Sequence, residues 1–412
     1  MMTKRERLIT ALKHEEPDRI PIDLGSMRST GITALAYYQL INFLKIRNST
    51  IRVYDTGQQL AEPEKKILEL FGVDVIDITR SLPPCGPYRR EWKKWTLPNG
   101  VECEVPINFN PEPDGRGGWV IRNDKGIVIS RMPPKGFYFD GNYHPLEKIK
   151  SINDIDDYNW EAHKISDKTL RKLRENAIFL RETTGYGLLF HSAGSIHEWG
   201  QGLRGWTNWI VDLSVRKKIA EKMLDHMIEV IMYNVKKLVS ALDGIVDVLG
   251  FGDDLGTQNG PQISPKIYRE MLKSYHEEMY GYVRKHSKMF VFLHSCGSIY
   301  DLLPDLIDAG VEIINPVQIS AAKMNPRNLK EKFGEELVFW GGGVDTQNIL
   351  INETPENVSR HVKENICIFG KNGGFVFTQV HNIQPFTPPE NIVTAYKTVL
   401  KYGKYPLSFC EC

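Results

Sequence analysis

No run of about 18 apolar residues occurs anywhere in the 412-residue chain, so a membrane-spanning helix is not expected. Neither sign of charge dominates, with 52 Lys and Arg against 51 Asp and Glu. A near-zero balance argues against nucleic-acid and membrane-surface partners, because both require a basic face. The N-terminus, MMTKRERLITALKHEEPDR, lacks the apolar segment of a signal peptide and reads as an amphipathic helix. A cytoplasmic location follows as an expectation. Cysteine is scarce: Cys85, Cys103, Cys296, Cys367, Cys410 and Cys412 are the only six. In a cytosolic chain of this size they are expected as free thiols rather than disulfides, most of them inert or buried.

What the chain does contain is an ordinary globular balance, 25% charged and 41% hydrophobic residues, on a length ample for a large core. Apolar, β-branched runs recur at residues 20–24, 73–78, 187–191, 245–251, 289–293, 311–316, 337–340 and 375–378. The later ones are short and do not alternate, as parallel strands covered on both faces require. Helical patterns separate them. Ser264-Pro265 and Thr354-Pro355 each place an N-cap hydroxyl before a proline at the first helical position. Thr387-Pro388-Pro389-Glu390 has the form of a capping box, and residues 301–309 close at Gly310. Eight strands alternating with helices predict an α/β fold, a (β/α)8 TIM barrel over residues 1–412.

One stretch departs from the repeat. Residues 81–157 are rich in Pro, Gly, Trp and Asn, and Asn99-Gly100 and Asn123-Asp124-Lys125-Gly126 have hairpin-turn composition. This is a β-rich insertion between strands 2 and 3, either covering the barrel mouth or packing on its side. Trp92, Trp95 and Trp119 would then line the mouth or form the insertion's own small core.

The chemistry-bearing residues gather at predicted strand tips. The run MFVFLHSCG ends a buried strand and at once presents His294 and Cys296, an imidazole and a thiol, where barrel enzymes hold their reactive groups. Two donors do not make a metal site, since a catalytic zinc takes about three protein ligands and one open position. His381, just past the last strand in FVFTQVHNIQPFT, is a third-ligand candidate or a histidine that hydrogen-bonds substrate. Asp253 and Asp254, in VLGFGDDLGTQ, suit metal ligation, acid–base work or support of a histidine; capping of the following helix is the bland alternative. His191 ends the third strand, with Glu198, Trp199 and Arg204 soon after it, lining the pocket or simply packing. His191, Arg28 and Gln379 are taken as substrate contacts, and Asp253 and Asp254 as the catalytic carboxylates. Cys410-x-Cys412 is either an extra ligand pair or a frayed tail.

Four blocks, RERLITALKHEEPDRIPIDLG, GDDLGTQNGPQISPKIYREMLKSYHE, FLHSCGSIYDLLPDLIDAGVEIINPVQ and GGFVFTQVHNIQPFTPPENI, resemble the uroporphyrinogen decarboxylase superfamily. Its members are (β/α)8 barrels, in agreement with the strand count. One branch, the decarboxylases, needs no cofactor and carries paired arginines in an Arg-Gln-Ala-Gly-Arg run; here that region reads Asp23-Leu24-Gly25-Ser26-Met27-Arg28, without the pair. The other branch contains corrinoid-linked methyltransferases, such as methylcobalamin:coenzyme M methyltransferases, with zinc held by His-x-Cys and a later Cys. His294 and Cys296 match the first two positions, and His381 stands where the later Cys belongs.

The resemblance therefore implies a zinc-dependent methyltransferase of anaerobic one-carbon metabolism, with His294, Cys296 and His381 on the metal. It would move a methyl group between a corrinoid (cobalamin) and a small thiol, methyl ether or methylamine. No Asp-x-His-x-x-Gly signature is present, so the corrinoid is expected on a separate partner protein. A homodimer is implied by family analogy alone. The alternatives are a cofactor-free decarboxylase or lyase acting on a smaller acid, and a non-catalytic tetrapyrrole- or corrinoid-binding module.

Overall fold

A computed structural model describes residues 2–80, 91–149 and 151–410. Seven parallel strands form one curled sheet: β1 (Val75–Asp77), β2 (Gly187–His191), β3 (Val248–Gly252), β4 (Phe290–His294), β5 (Ile313–Asn315), β6 (Val338–Trp340) and β7 (Phe375–Val376), paired in that order. These are seven of the eight expected strands, set between helices as a TIM barrel requires.

The eighth, residues 20–24, closes the ring without a full ladder. Asp23 N donates to Phe377 O (2.9 Å), Phe377 N donates to Pro21 O (2.9 Å), and Asp74 N donates to Ile22 O (2.8 Å). Pro21 has no N–H to offer, and Ile22 N bonds the Asp74 carboxylate instead of a backbone carbonyl. Closure thus rests on a few bonds and one buried side chain.

Side-chain alternation sorts the lumen into layers. Val75, Leu189, Val248, Phe292, Ile313, Val338 and Val376 pack together inside the ring with Leu8 and Leu12 of the N-terminal helix Lys4–Leu12. That helix opens on a Thr3/Glu6 capping box and plugs the lower end. Gly187 is required there: a Cβ at that position would come within 2.3 Å of Leu8 Cδ2. Two residues further along each strand, the same period brings Asp77, His191, Gly250, His294, Asn315 and Trp340 to the next layer, at the C-terminal mouth.

The insertion forms two small antiparallel sheets. Trp92–Thr96 pairs with Glu102–Pro106, and Glu112–Pro113, Trp119–Arg122, Val128–Met132 and Asp140–Gly141 make the other. Both expected hairpin turns close, with Leu97 N on Val101 O and Asn123 N on Ile127 O, each at 2.9 Å. Trp95 packs edge-on against Trp119 (5.1 Å) and Phe109 (5.6 Å), so these two tryptophans serve the insertion's own core. The insertion also reaches the mouth. Tyr138 OH lies 2.9 Å from Gln384 Oε1 and 3.3 Å from Asn382 Oδ1, and Phe137 packs on Phe386. These partners belong to the loop that carries His381. An additional small sheet, of Ile32–Thr33, Val53–Asp55 and Leu60–Ala61, has no counterpart among the expected strands, because its strands are too short to show a period.

Three expectations are corrected. Cys367 and Cys410 form a disulfide, which pins the tail onto the helix Pro355–Phe369. Cys410 is therefore neither a frayed thiol nor a ligand; Cys85 and Cys412 lie outside the described residues. Thr387 does not cap the last helix, Pro389–Tyr402: Pro388 holds the cap position, and the Thr387 hydroxyl bonds Gln384 O instead (2.9 Å). By contrast, Ser264 and Thr354 cap as expected. Among the described residues no helix is long and apolar enough to cross a membrane.

Candidate metal centre at the barrel mouth

His294 is the last residue of β4, two beyond the inward Phe292, and so points into the mouth. One atom each from His294, Cys296 and His381, all potential ligand atoms, lie within 4.8 Å of one another. His294 Nε2 is 3.3 Å from Cys296 Sγ and 3.6 Å from Asp254 Oδ1, while its Nδ1 meets Asn315 at 2.6 Å. His381 comes from the loop after β7 with φ at +63°, a left-handed conformation that costs a non-glycine residue energy and is held here by its surroundings. Its ring centroid is 5.8 Å from that of His294.

Two loops build the cluster by close backbone contact. Asp253 N donates to His294 O (2.8 Å) and Ser298 N to Thr257 O (2.7 Å). A Cβ on Gly256 would sit 2.5 Å from Cys296 O, and one on Gly297, at φ +82°, would sit 2.6 Å from Gly256 C. Glycine at both places lets GDDLG and HSCG press together, and Cys296 N then donates to Asp254 Oδ1 at 2.7 Å.

The adjacent carboxylates have separate places. Asp254 lies in the cluster. Asp253 lies behind it, fully buried, accepting from Ile196 N (2.9 Å), Glu198 N (2.9 Å) and His276 Nε2 (2.8 Å). It holds the start of the helix His197–Arg204. Gln379 is likewise buried and internally committed: Tyr396 OH donates to its Oε1 (2.6 Å), and its Nε2 donates to Thr30 O (2.9 Å).

Beside the cluster opens a cavity of about 380 Å3, whose walls include Arg28, Tyr54, Asp55, Asp77, Arg80 and His191. His191 joins the two, with its ring 6.3 Å from that of His294. Arg28 is mostly exposed and pairs with Asp55; Arg80 stacks over the Tyr54 ring at 3.7 Å. Of the expected site residues, His191, His294, Cys296, His381, Asp254 and Arg28 therefore come together, and Asp253 and Gln379 support them from behind. Trp199 packs on Trp160, and Arg204 forms a buried ion pair with Asp212.

Glu198 is the residue whose place was left open. Its Oε2 is 3.5 Å from where a Cβ on Gly252 would be, and His191 Cδ2 is 2.8 Å from the equivalent point on Gly250. Glycines inside a strand mark a close approach, so VLGFGDD carried the signal. Asp77, at the tip of the second strand in VDVIDI, carried another.

The electrostatics are unfavourable by design of the surroundings. Burial, then Asp254 and Asp253, push the Glu198 carboxyl up to about 8. Burial and the neighbouring Asp254 push the Cys296 thiol well above its usual range. Burial and the neighbouring His294 push His191 down to about 3 and His381 to about 4. Two imidazoles kept neutral, a thiol and two carboxyls are thus crowded together, with the Arg28 guanidinium acting on them from the cavity wall.

Fold and site together define a (β/α)8-barrel protein with a histidine–thiol cluster at its mouth. Residues 190–402 match the family model of uroporphyrinogen decarboxylase (URO-D), just over half of the chain, and the chain belongs to that family. Its structure is similar to that of a methyltransferase from Methanosarcina mazei, at 18% identity over 98% of this chain and 99% of that one, with a TM-score of 0.59; this likeness shows the fold. The native xylanase 10B from Thermotoga maritima is a looser match, 13% identical over 61% of this chain and 85% of its own, and its TM-score of 0.33 carries no argument. No curated protein matches the chain.

Proposed function

We propose that this protein is a zinc-dependent methyltransferase that moves a methyl group between a corrinoid protein and a small thiol, methyl ether or methylamine. The observation that carries the reading is the convergence of His294, Cys296 and His381 from two distant strand tips to within 4.8 Å. An N, S, N donor set with carboxylates beside it suits zinc, and three protein ligands leave one position for a reactant. Zinc, when bound, would supply Lewis acidity to the heteroatom that gains or loses the methyl group.

The chain's own residues do the rest. His294, Cys296 and His381 would hold the ion, with Cys296 as thiolate. Asp254, through Cys296 N, fixes the loop that presents the sulfur. His191 stays neutral and lies between the cluster and the cavity wall, where it would meet the reacting heteroatom. Arg28 and Arg80 orient the remainder of the reactant from the far walls. Further support comes from the M. mazei neighbour, which bears the name methyltransferase. The corrinoid is expected on a partner protein docked over the mouth.

The test is zinc quantification on anaerobically purified protein, followed by methyl transfer from methylated phenols, amines or thiols to a corrinoid protein. Near-stoichiometric zinc and chelator-sensitive transfer are expected. Absence of zinc, or a decarboxylase activity that survives chelation, would overturn the reading in favour of the cofactor-free branch.

A further inference from the structure

We infer that Asn315 is a positioning residue that locks His294 into the tautomer whose Nε2 lone pair faces the metal cluster. The inference rests on the metal-site reading above and names a residue that reading does not use. Asn315 ends β5, two residues beyond the inward Ile313, and is completely buried. Its side chain makes three contacts: Nδ2 to Trp340 O at 2.7 Å, Oδ1 to Ser29 Oγ at 2.8 Å, and Oδ1 to His294 Nδ1 at 2.6 Å.

The Trp340 carbonyl decides the geometry. A backbone carbonyl only accepts, so the amide must turn its NH2 toward it. Reversing the amide would set two oxygens against each other at 2.7 Å with no proton between them. Oδ1 is thereby forced to face Ser29 and His294, where it can only accept. Ser29 donates its hydroxyl proton, and His294 must carry its proton on Nδ1. In the neutral form of His294, which has one N–H, Nε2 is then left bare. That bare nitrogen is the one 3.3 Å from Cys296 Sγ. These two atoms would hold an ion, with the thiol proton given up to solvent.

The lock is assembled from three segments: the turn Arg28–Thr30 after the closing segment 20–24, the tip of β5, and the tip of β6. Metal-binding histidines are tuned by such outer partners as a rule; here the partner is an amide whose own orientation is set by a main-chain carbonyl. Asn315 also ties the turn bearing Arg28, on the cavity wall, to the metal ligand.

The experiment is a two-bond proton–nitrogen correlation spectrum of metal-free protein labelled with 15N-histidine, with the His294 signals assigned by their loss in His294→Gln. With the pH raised until the His294 signals no longer shift, protonation at Nδ1 alone is expected; protonation at Nε2 under that condition would overturn the inference with no variant needed. Asn315→Leu should mix the tautomers and weaken zinc binding about 10- to 100-fold, read by competition with a chromophoric chelator. Asn315→Asp keeps the acceptor toward His294 and should hold the tautomer, while lowering the thermal midpoint because its second oxygen faces Trp340 O with no proton between them. A folded Asn315→Leu protein that binds zinc as tightly as wild type would also overturn it. Wild-type protein that shows the Nδ1–H tautomer but takes up no zinc would sink the proposed function and leave the lock standing.

Discussion

The two ends of this barrel treat buried charge in opposite ways. At the lower end Asp74 is fully buried and accepts from Arg7 (2.7 Å), Arg19 (2.7 Å) and Ile22 N (2.8 Å). Asp247 there accepts from Arg5, Arg181 and Leu188 N. Both carboxylates have their cations, and Leu8 and Leu12 fill the lumen above. At the mouth, Glu198 and Asp254 crowd a thiol, and His191 Nε2 is buried without a hydrogen-bond partner among the described residues. Both ends use the same strands, with the packed inner layer between them. The difference teaches that the lower end is built for stability, whereas the mouth keeps buried titratable groups crowded together, the mark of a functional site.

The sharpest way to break this contrast is at the sulfur. Cys296→Ala should lose stoichiometric zinc altogether, by metal analysis, without lowering the thermal midpoint of the metal-free protein. A marked loss of stability would mean that the mouth, too, is structural. At the opposite end, Leu8→Ala should cost about 2–5 kcal/mol in urea unfolding and leave the zinc content unchanged.

A third test uses pH. The Glu198 carboxyl holds its proton to about 8 in the folded state against 4.5 ordinarily. Between those values the folded state binds more protons than the unfolded one, so this group's contribution to stability falls as pH rises. Glu198→Gln imitates the protonated form. In metal-free protein its stability advantage over wild type should therefore grow from pH 5 to pH 8; an equal difference at both would refute the crowding. His381 and His191 act in the other direction: their unfolded forms protonate first as pH drops below 6.5, so they destabilise on acidification toward about 4 and 3. The smallest effect is expected where the insertion touches the mouth. Tyr138→Phe removes its bond to Gln384 and should cost about 0.5–1.5 kcal/mol, with zinc binding intact.

Much of this was legible in the residues. The apolar runs named all seven strands of the sheet and the closing segment, because burial on both faces leaves little choice of side chain. His294-x-Cys296 drew notice by its place directly after a buried strand; by spacing alone such a pair is more often simply packed. Asp253 and Gln379 were harder. Nothing in a carboxylate's or an amide's identity says whether it looks into a cavity or back toward a helix, and both look back. Cys367–Cys410 was illegible for the same reason, since pairing depends on a tail folding against a helix 43 residues away.

Periodicity and composition alone thus determined the barrel, its inner layer and the level at which reactive groups emerge, because a two-residue repeat and the exclusion of polar atoms from a core are local rules. Which of those groups meet, His381 with His294 from strand tips far apart, Glu198 over Gly252, Asn315 between Ser29 and Trp340, was settled only when the ring closed. Proximity in a closed sheet is set by register and curvature, which no single segment contains.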